Sequence, residues 1–174
     1  MRTVVAGQHA FVEEWIARRR ASGQDLYDEV WHGEYHVAPA PHPWHAFLQD
    51  QLSAGLHNAT NRRGLFKTGP FNLGRSNDDF RVPDLGVHRA LPASVWVPTA
   101  AMVVEVVSPH DESWLKFDHY AAHGVDEVLI ADPETSALHL VVLAGGEYRP
   151  SESSPLLGVT VAELHAAVDW PGVS

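Results

Sequence analysis

The stretch Ala101-Met102-Val103-Val104-Glu105-Val106-Val107 constrains this chain more than any other. A nearly continuous apolar run of this length reads as a strand covered on both faces, so other layers must pack on either side of its sheet. One residue interrupts the run. Ionised and unpaired inside a sheet core, Glu105 is costly. It lies at the strand's exposed end, is paired, or binds a cation, and the residues alone leave all three open.

A second carboxylate has the same character. Asp84 follows Val82-Pro83 and precedes Leu85-Gly86-Val87, another apolar strand. Pro83 donates no ladder hydrogen bond, so the strand starts or edges its sheet there. One such acid is ordinarily a salt bridge or a strand-end cap. Two on successive strands repel at close range and favour a shared divalent cation, and hard oxygen ligands suit Mg²⁺ or Mn²⁺. Lys116 is the third piece, the only lysine after Lys67. Its plain reading is a solvated helix lysine. Its sharper reading is an ammonium beside two carboxylates, able to orient or help deprotonate an attacking water.

Around these residues the pattern predicts helices at about 8–21 and 44–58, the second carrying Trp44, Phe47, Leu48, Leu52 and Leu56 at helical spacing. Two short strands flank His32-Gly33. Strands are expected at Leu65–Leu73, Arg81–His88, Ala101–Val107 and Glu127–Ala131, with a helix from about Glu112 to His123 between the last two. Gly69-Pro70 and Gly74 read as turn punctuation. A hairpin turns at Gly145-Gly146. Thr160 and Glu163 form a capping box ahead of a last short helix. The expectation is an α/β (α+β) fold, a mixed central β-sheet flanked by helices. An N-terminal helix occupies 1–24 and a single domain 25–174. At 174 residues the chain buries a real core.

Composition narrows the function. With no cysteine, disulfides, zinc-thiolate sites and cysteine nucleophiles are excluded. No run approaches the ~18 apolar residues of a membrane span, and the first residues hold no long apolar signal-peptide core, so a soluble cytoplasmic protein is expected. The net charge is −10. Residues 1–87 carry nine Lys/Arg against ten Asp/Glu, and residues 88–174 three against twelve. That balance argues against a general nucleic-acid coat protein. Arg62, Arg63, Lys67 and Arg75 form a partial basic cluster, either a solvated surface or a phosphate-facing rim.

The string Val82-Pro83-Asp84, Val104-Glu105-Val106-Val107-Ser108-Pro109, Lys116, Tyr120, Gly124-Val125 and Asp132-Pro133 resembles the Uma-two family of putative restriction endonucleases, a branch of the PD-(D/E)XK nuclease superfamily. Tyr27, Glu29, Gly33-Glu34, Pro41 and His45 match that family's opening pattern. The resemblance covers about residues 25–143. It implies a restriction-endonuclease-like fold, with Asp84 and Glu105 as metal ligands and the Val106 carbonyl completing the set. The superfamily's lysine usually stands two residues after this glutamate, a position held here by Val107. The resemblance moves the role to Lys116. His45 and Glu34 are accessory candidates, and Arg62, Arg63, Lys67 and Arg75 candidates for holding the phosphate backbone.

The function so implied is a Mg²⁺- or Mn²⁺-dependent endonuclease hydrolysing DNA phosphodiester bonds, acting as a homodimer to which Trp96-Val97 could contribute. Its rival is a nuclease fold kept as a non-catalytic binding or interaction module. A histidine-ligated metalloprotein, using His32 with His36 or His42 with His45, is the third reading. No phosphate-binding glycine loop, dinucleotide fingerprint or serine-hydrolase elbow occurs.

Overall fold

The computed structural model describes residues 3–5, 10–108 and 112–170. Its elements in chain order are β1 (Thr3–Val5), α1 (Ala10–Ala21), β2 (Glu29–Trp31), β3 (Glu34–Val37), α2 (Pro43–Arg62), β4 (Phe66–Thr68), β5 (Asn72–Ser76), β6 (Asp79–Arg81), β7 (Leu85–His88), β8 (Trp96–Val97), β9 (Met102–Val106), a 3₁₀ turn (Ser113–Lys116), α3 (Phe117–Ala122), β10 (Glu127–Asp132), β11 (Ala137–Ala144), β12 (Glu147–Pro150), β13 (Ser153–Ser154), β14 (Val159–Thr160) and α4 (Val161–Ala166). Pro109 of the motif string lies outside the described residues, as do residues 8 and 9 of the expected first helix.

The expected mixed sheet is present as two six-stranded sheets. One has the order β1-β3-β2-β6-β5-β8 and the other β12-β11-β10-β9-β7-β4, with β13 and β14 forming a separate pair. In the second sheet β9 and β10 run parallel, joined by the crossover that carries the 3₁₀ turn and α3. The N-terminal segment holds a strand as well as the expected helix, since β1 pairs with β3. His32 and Gly33 both adopt positive φ, 51° and 86°, as a tight hairpin turn between β2 and β3 requires.

Two expected strands are each split between the sheets. Leu65–Leu73 divides at Gly69-Pro70 into β4 of the second sheet and β5 of the first. Arg81–His88 divides at Pro83 into the end of β6 and all of β7. A proline has no N–H for the ladder, so pairing ends there and the chain is free to cross. Gly74 is not a turn but a residue of β5, where a Cβ would stand 2.6 Å from the Asp79 carbonyl oxygen.

Three cores follow from the alternation of the strands. Leu48, Leu52, Leu56 and Ala59 of α2 pack on Leu85, Val87, Val104, Val106 and Leu129, one face of the second sheet, with Leu164 of α4 beside them. Each fully buried leucine stabilises by about 1.5–3 kcal/mol. Val103, Val128 and Ile130, on the opposite face, meet Tyr120 of α3 and Leu73 of the first sheet. Val30, Tyr35, Phe80 and Val82 form the third core, with Ile16 of α1 against it. Trp96 packs edge-on against Phe80, ring centroids 5.0 Å apart, and Val97 is buried. This segment is therefore not the exposed apolar patch expected for a homodimer contact.

Candidate active site

Glu105 is the fourth residue of β9 and sits at that strand's carboxyl end, on the same face as Val103. Ligand sites of α/β sheets open at such ends. Strands β7 and β9 pair with Leu85 opposite Val104, which brings Asp84, one residue before β7, alongside Glu105 and Val106. Asp84 Oδ2 accepts a 2.7 Å bond from the Val106 N–H. Backbone groups alternate sides along a strand. Val107 donates to Ala131 in β10, so the N–H and C=O of Val106 both point toward β7 and Asp84.

Lys116 closes the 3₁₀ turn and is 1 % exposed. Its Nζ donates to Glu105 Oε1 at 2.8 Å and lies 2.9 Å from Glu29 Oε1. Tyr120, four residues further on and so on the same helical face, donates its phenol to Glu105 Oε1. Glu29 comes from the other sheet and is fully buried; its Oε1 also accepts from the Val82 N–H at 2.9 Å and its Oε2 from the Trp31 indole at 2.6 Å. Burial pushes the Glu105 carboxyl up to about 7; the Lys116 ammonium opposes that shift, and Asp84 and Glu29 add to it. The Tyr120 phenol is raised well above its usual value, first by burial and then by the neighbouring Glu105.

The first turns of α2 clamp Asp84 from the other side. His45 stands third in the helix; its Nε2 is 2.8 Å from Asp84 Oδ1 and its Nδ1 3.1 Å from Ser108 Oγ. One turn later Gln49 donates to the Asp84 backbone carbonyl at 2.9 Å.

Among the described residues, no three His, Asp or Glu side chains are grouped so as to hold a metal ion by themselves. The oxygen set is two carboxylates and the Val106 carbonyl. Glu105 Oε1 takes both Lys116 and Tyr120, while among the described residues no hydrogen bond reaches Oε2. Each Asp84 oxygen keeps a second lone pair. Such a set fits Mg²⁺, which takes one or two carboxylates and keeps much of its water.

Of the candidates read from the sequence, the structure gathers Asp84, Glu105, Val106, Lys116 and His45. It does not gather Glu34, which is exposed at the start of β3; the buried acid of that hairpin is Glu29, three residues before the turn at His32. Arg62 and Arg63 end α2, a 20-residue helix about 30 Å long, at the far end from His45. Arg63 bonds the Leu157 carbonyl, Lys67 bonds Ser53 of α2, and Arg75 is exposed on β5. The four do not form one phosphate-facing rim. His32 is exposed on its hairpin turn and His36 is stacked on Trp31 with ring centroids 4.6 Å apart. His42 caps α2 while His45 engages Asp84, so neither histidine pair forms a ligand set.

The sequence reading missed the parts played by Glu29, Gln49 and Tyr120. Tyr120 carried a usable signal, its four-residue spacing from Lys116. Glu29 carried its place in a short apolar strand and in the opening pattern of the family resemblance, neither of which names its partner.

Comparison with known proteins gives the arrangement a context. No curated protein matches the chain. A crystal structure from Anabaena variabilis, described as "a putative nuclease belonging to DUF820", superposes with a TM-score of 0.66 at 14 % identity, covering 80 % of this chain and 90 % of that one. At that identity the likeness speaks for the fold, a mixed α+β restriction-endonuclease-like architecture. A family model covers nearly all of the sequence, residues 13–169, and by it the chain belongs to the Uma2 family, described as "Putative restriction endonuclease".

Proposed function

We propose that the protein is a metal-dependent endonuclease that hydrolyses DNA phosphodiester bonds at the Asp84–Glu105–Lys116 cluster. The observation that carries the reading is the buried lysine: an ammonium 1 % exposed, 2.8 Å from a strand-end carboxylate whose neighbour across the sheet is a second acid. Burying three such groups without a task would be expensive. Asp84, Glu105 and the Val106 carbonyl would hold the ion. A hard divalent cation bound there supplies polarisation of the scissile phosphate and a water of lowered pKa.

The chain's own residues do the rest. Lys116 directs its ammonium at the attacking water and at the negative charge growing on the phosphate oxygens. Tyr120 holds the Glu105 carboxylate in place, and His45 orients that of Asp84. Outer hydrogen bonds of this kind typically change metal affinity or activity by about 10–100-fold. In-line attack by water on phosphorus leaves a 5′-phosphate and a 3′-hydroxyl.

Plasmid nicking by folded protein, with and without Mg²⁺ or Mn²⁺, tests the activity. Calorimetry on wild type, Asp84→Ala and Glu105→Ala tests the site. Cleavage with 5′-phosphate ends, lost in both variants, is expected. A folded protein that cuts no form of DNA with either ion would overturn the reading.

One observation favours a second reading. The net charge is −10, and Arg62, Arg63, Lys67 and Arg75 do not converge on the site. For a nuclease fold retained as a non-catalytic binding or interaction module, calorimetry would find no binding of Mg²⁺ or Mn²⁺. A twofold homodimer, which suits cutting of both strands, belongs to the first reading, and sedimentation equilibrium tests it. Among the described residues no helix is long and apolar enough to cross a membrane.

A further inference from the structure

A divalent ion and the Lys116 ammonium make competing claims on Glu105. Both are cations, and a lysine held by that carboxylate alone would be repelled as the ion arrived. The second contact of Lys116 resolves the conflict. Glu29 Oε1 lies 2.9 Å from Nζ, on the first sheet, and two further donors, the Val82 N–H and the Trp31 indole, hold its carboxylate in one orientation. Such bonds fix the rotamer. Val82 is two residues before Asp84, so the group that anchors Glu29 is continuous with the strand that carries the first acid. Asp84, Glu105 and Glu29 thus set three carboxyl groups around one ammonium, an acid-rich cluster that suits a divalent ion.

We propose that Glu29 is the positioning residue for Lys116, keeping the ammonium at the site when a divalent cation takes Glu105. The inference deepens the metal-dependent reading above and rests on it. It gives the first sheet a part in the chemistry: the lysine that superfamily relatives place two residues after their glutamate is here held from across the molecule.

Lys67 and Lys116 are the chain's two lysines, so a protein labelled with ¹⁵N-lysine offers two side-chain ammonium signals. A buried, hydrogen-bonded ammonium exchanges slowly enough to be seen. In wild type the Lys116 signal should persist through saturation with Mg²⁺, with binding followed by calorimetry. In Glu29→Gln it should vanish on saturation while the Mg²⁺ Kd stays within about twofold of wild type. Nicking by the same variant should lose about 10–100-fold in kcat with KM little changed, and Glu29→Asp should recover part of it. A merely structural Glu29 would lower the Tm and leave the Lys116 signal and the kcat of the folded protein as in wild type, which overturns the proposal. An Mg²⁺ Kd weakened as much as in Glu105→Gln makes Glu29 a ligand and overturns it too. Should Glu29→Gln not fold, the wild-type titration decides: loss of the Lys116 signal at Mg²⁺ saturation refutes the anchor. Should neither Mg²⁺ nor Mn²⁺ bind, the nuclease reading falls by itself. The metal-free spectra still decide the anchor, which requires the signal to survive Glu105→Gln and to be lost only when Glu29→Gln is added to it.

Discussion

Two glutamates are buried in neighbouring parallel strands of the same sheet, and the chain treats them differently. Glu105 sits at the carboxyl end of β9 and faces the core between the sheets. Glu127 opens β10 at the other end, opposite Met102. Glu127 is satisfied by fixed neutral donors: the Ser154 hydroxyl at 2.5 Å and the Leu156 N–H at 2.7 Å. Glu105 is met by a lysine, a tyrosine and, alongside, a second acid. Burial raises the pKa of both. An acid in an apolar strand is thus no sign of chemistry in itself. What separates the two is the neighbours: neutral donors that pin a loop around Glu127, and an ammonium, a phenol and a second acid around Glu105.

The sharpest way to break the contrast is to neutralise each acid in turn. Glu105→Gln should abolish the heat of Mg²⁺ binding and reduce nicking by more than the roughly 100-fold an outer hydrogen bond is worth. Glu127→Gln should leave both at wild-type level per folded molecule. Equal losses in the two variants would erase the distinction.

Stability offers the next largest effect. Lys116→Ala strands Glu29 and Glu105 without their ammonium and should cost about 3–5 kcal/mol in urea unfolding. A cost under about 1 kcal/mol would mean the ion cluster is not held as described. At the other pole, Ser154→Ala should cost about 1–3 kcal/mol by leaving a Glu127 oxygen unsatisfied, with no change in metal binding.

The smallest expected effect is in the pH profile. The folded-state pKa of Glu105, about 7, stands above its ordinary 4.5. Its contribution is fully present below about pH 4.5 and is lost as pH rises through about 7. Mg²⁺ bound to the ionised form should offset that loss in wild type, as thermal melts between pH 5 and 8 would record, while Glu105→Gln, with no carboxyl to titrate there, should show neither the loss nor the offset. His119 acts in the opposite sense. Burial, first among its causes, lowers its pKa from 6.5 to about 4. Stability should therefore fall as pH drops through that window, and His119→Gln should flatten the acid limb alone.

The local grammar of the chain was legible because it depends on near neighbours. The capping box of Thr160 and Glu163 forms, the hairpin turns at Gly145-Gly146, and the leucines of α2 face one core. Each rests on spacing or on a backbone preference within a few residues. Asp84 and Glu105 were legible for a related reason, since a charge inside an apolar strand is out of pattern wherever the strand goes. The decision to cross between sheets at Pro70 and Pro83 was written only halfway: proline ends pairing, but nothing nearby says which sheet comes next. The partners of the charges were the least legible. Glu34 and Glu29 lie in the same hairpin, and strand pairing decides that Glu29 is the buried one. Arg62, Arg63, Lys67 and Arg75 look clustered along the chain, yet Arg62 and Arg63 end a helix about 30 Å long at the far end from His45, Lys67 bonds Ser53 of that helix, and Arg75 lies on β5 of the other sheet. The sequence by itself determined the elements, the apolar faces and the two out-of-place acids, because periodicity and propensity act over a few residues. Only the tertiary structure decided which cation meets which acid: Lys116 is eleven residues from Glu105 and eighty-seven from Glu29, and a salt bridge depends on distance in space.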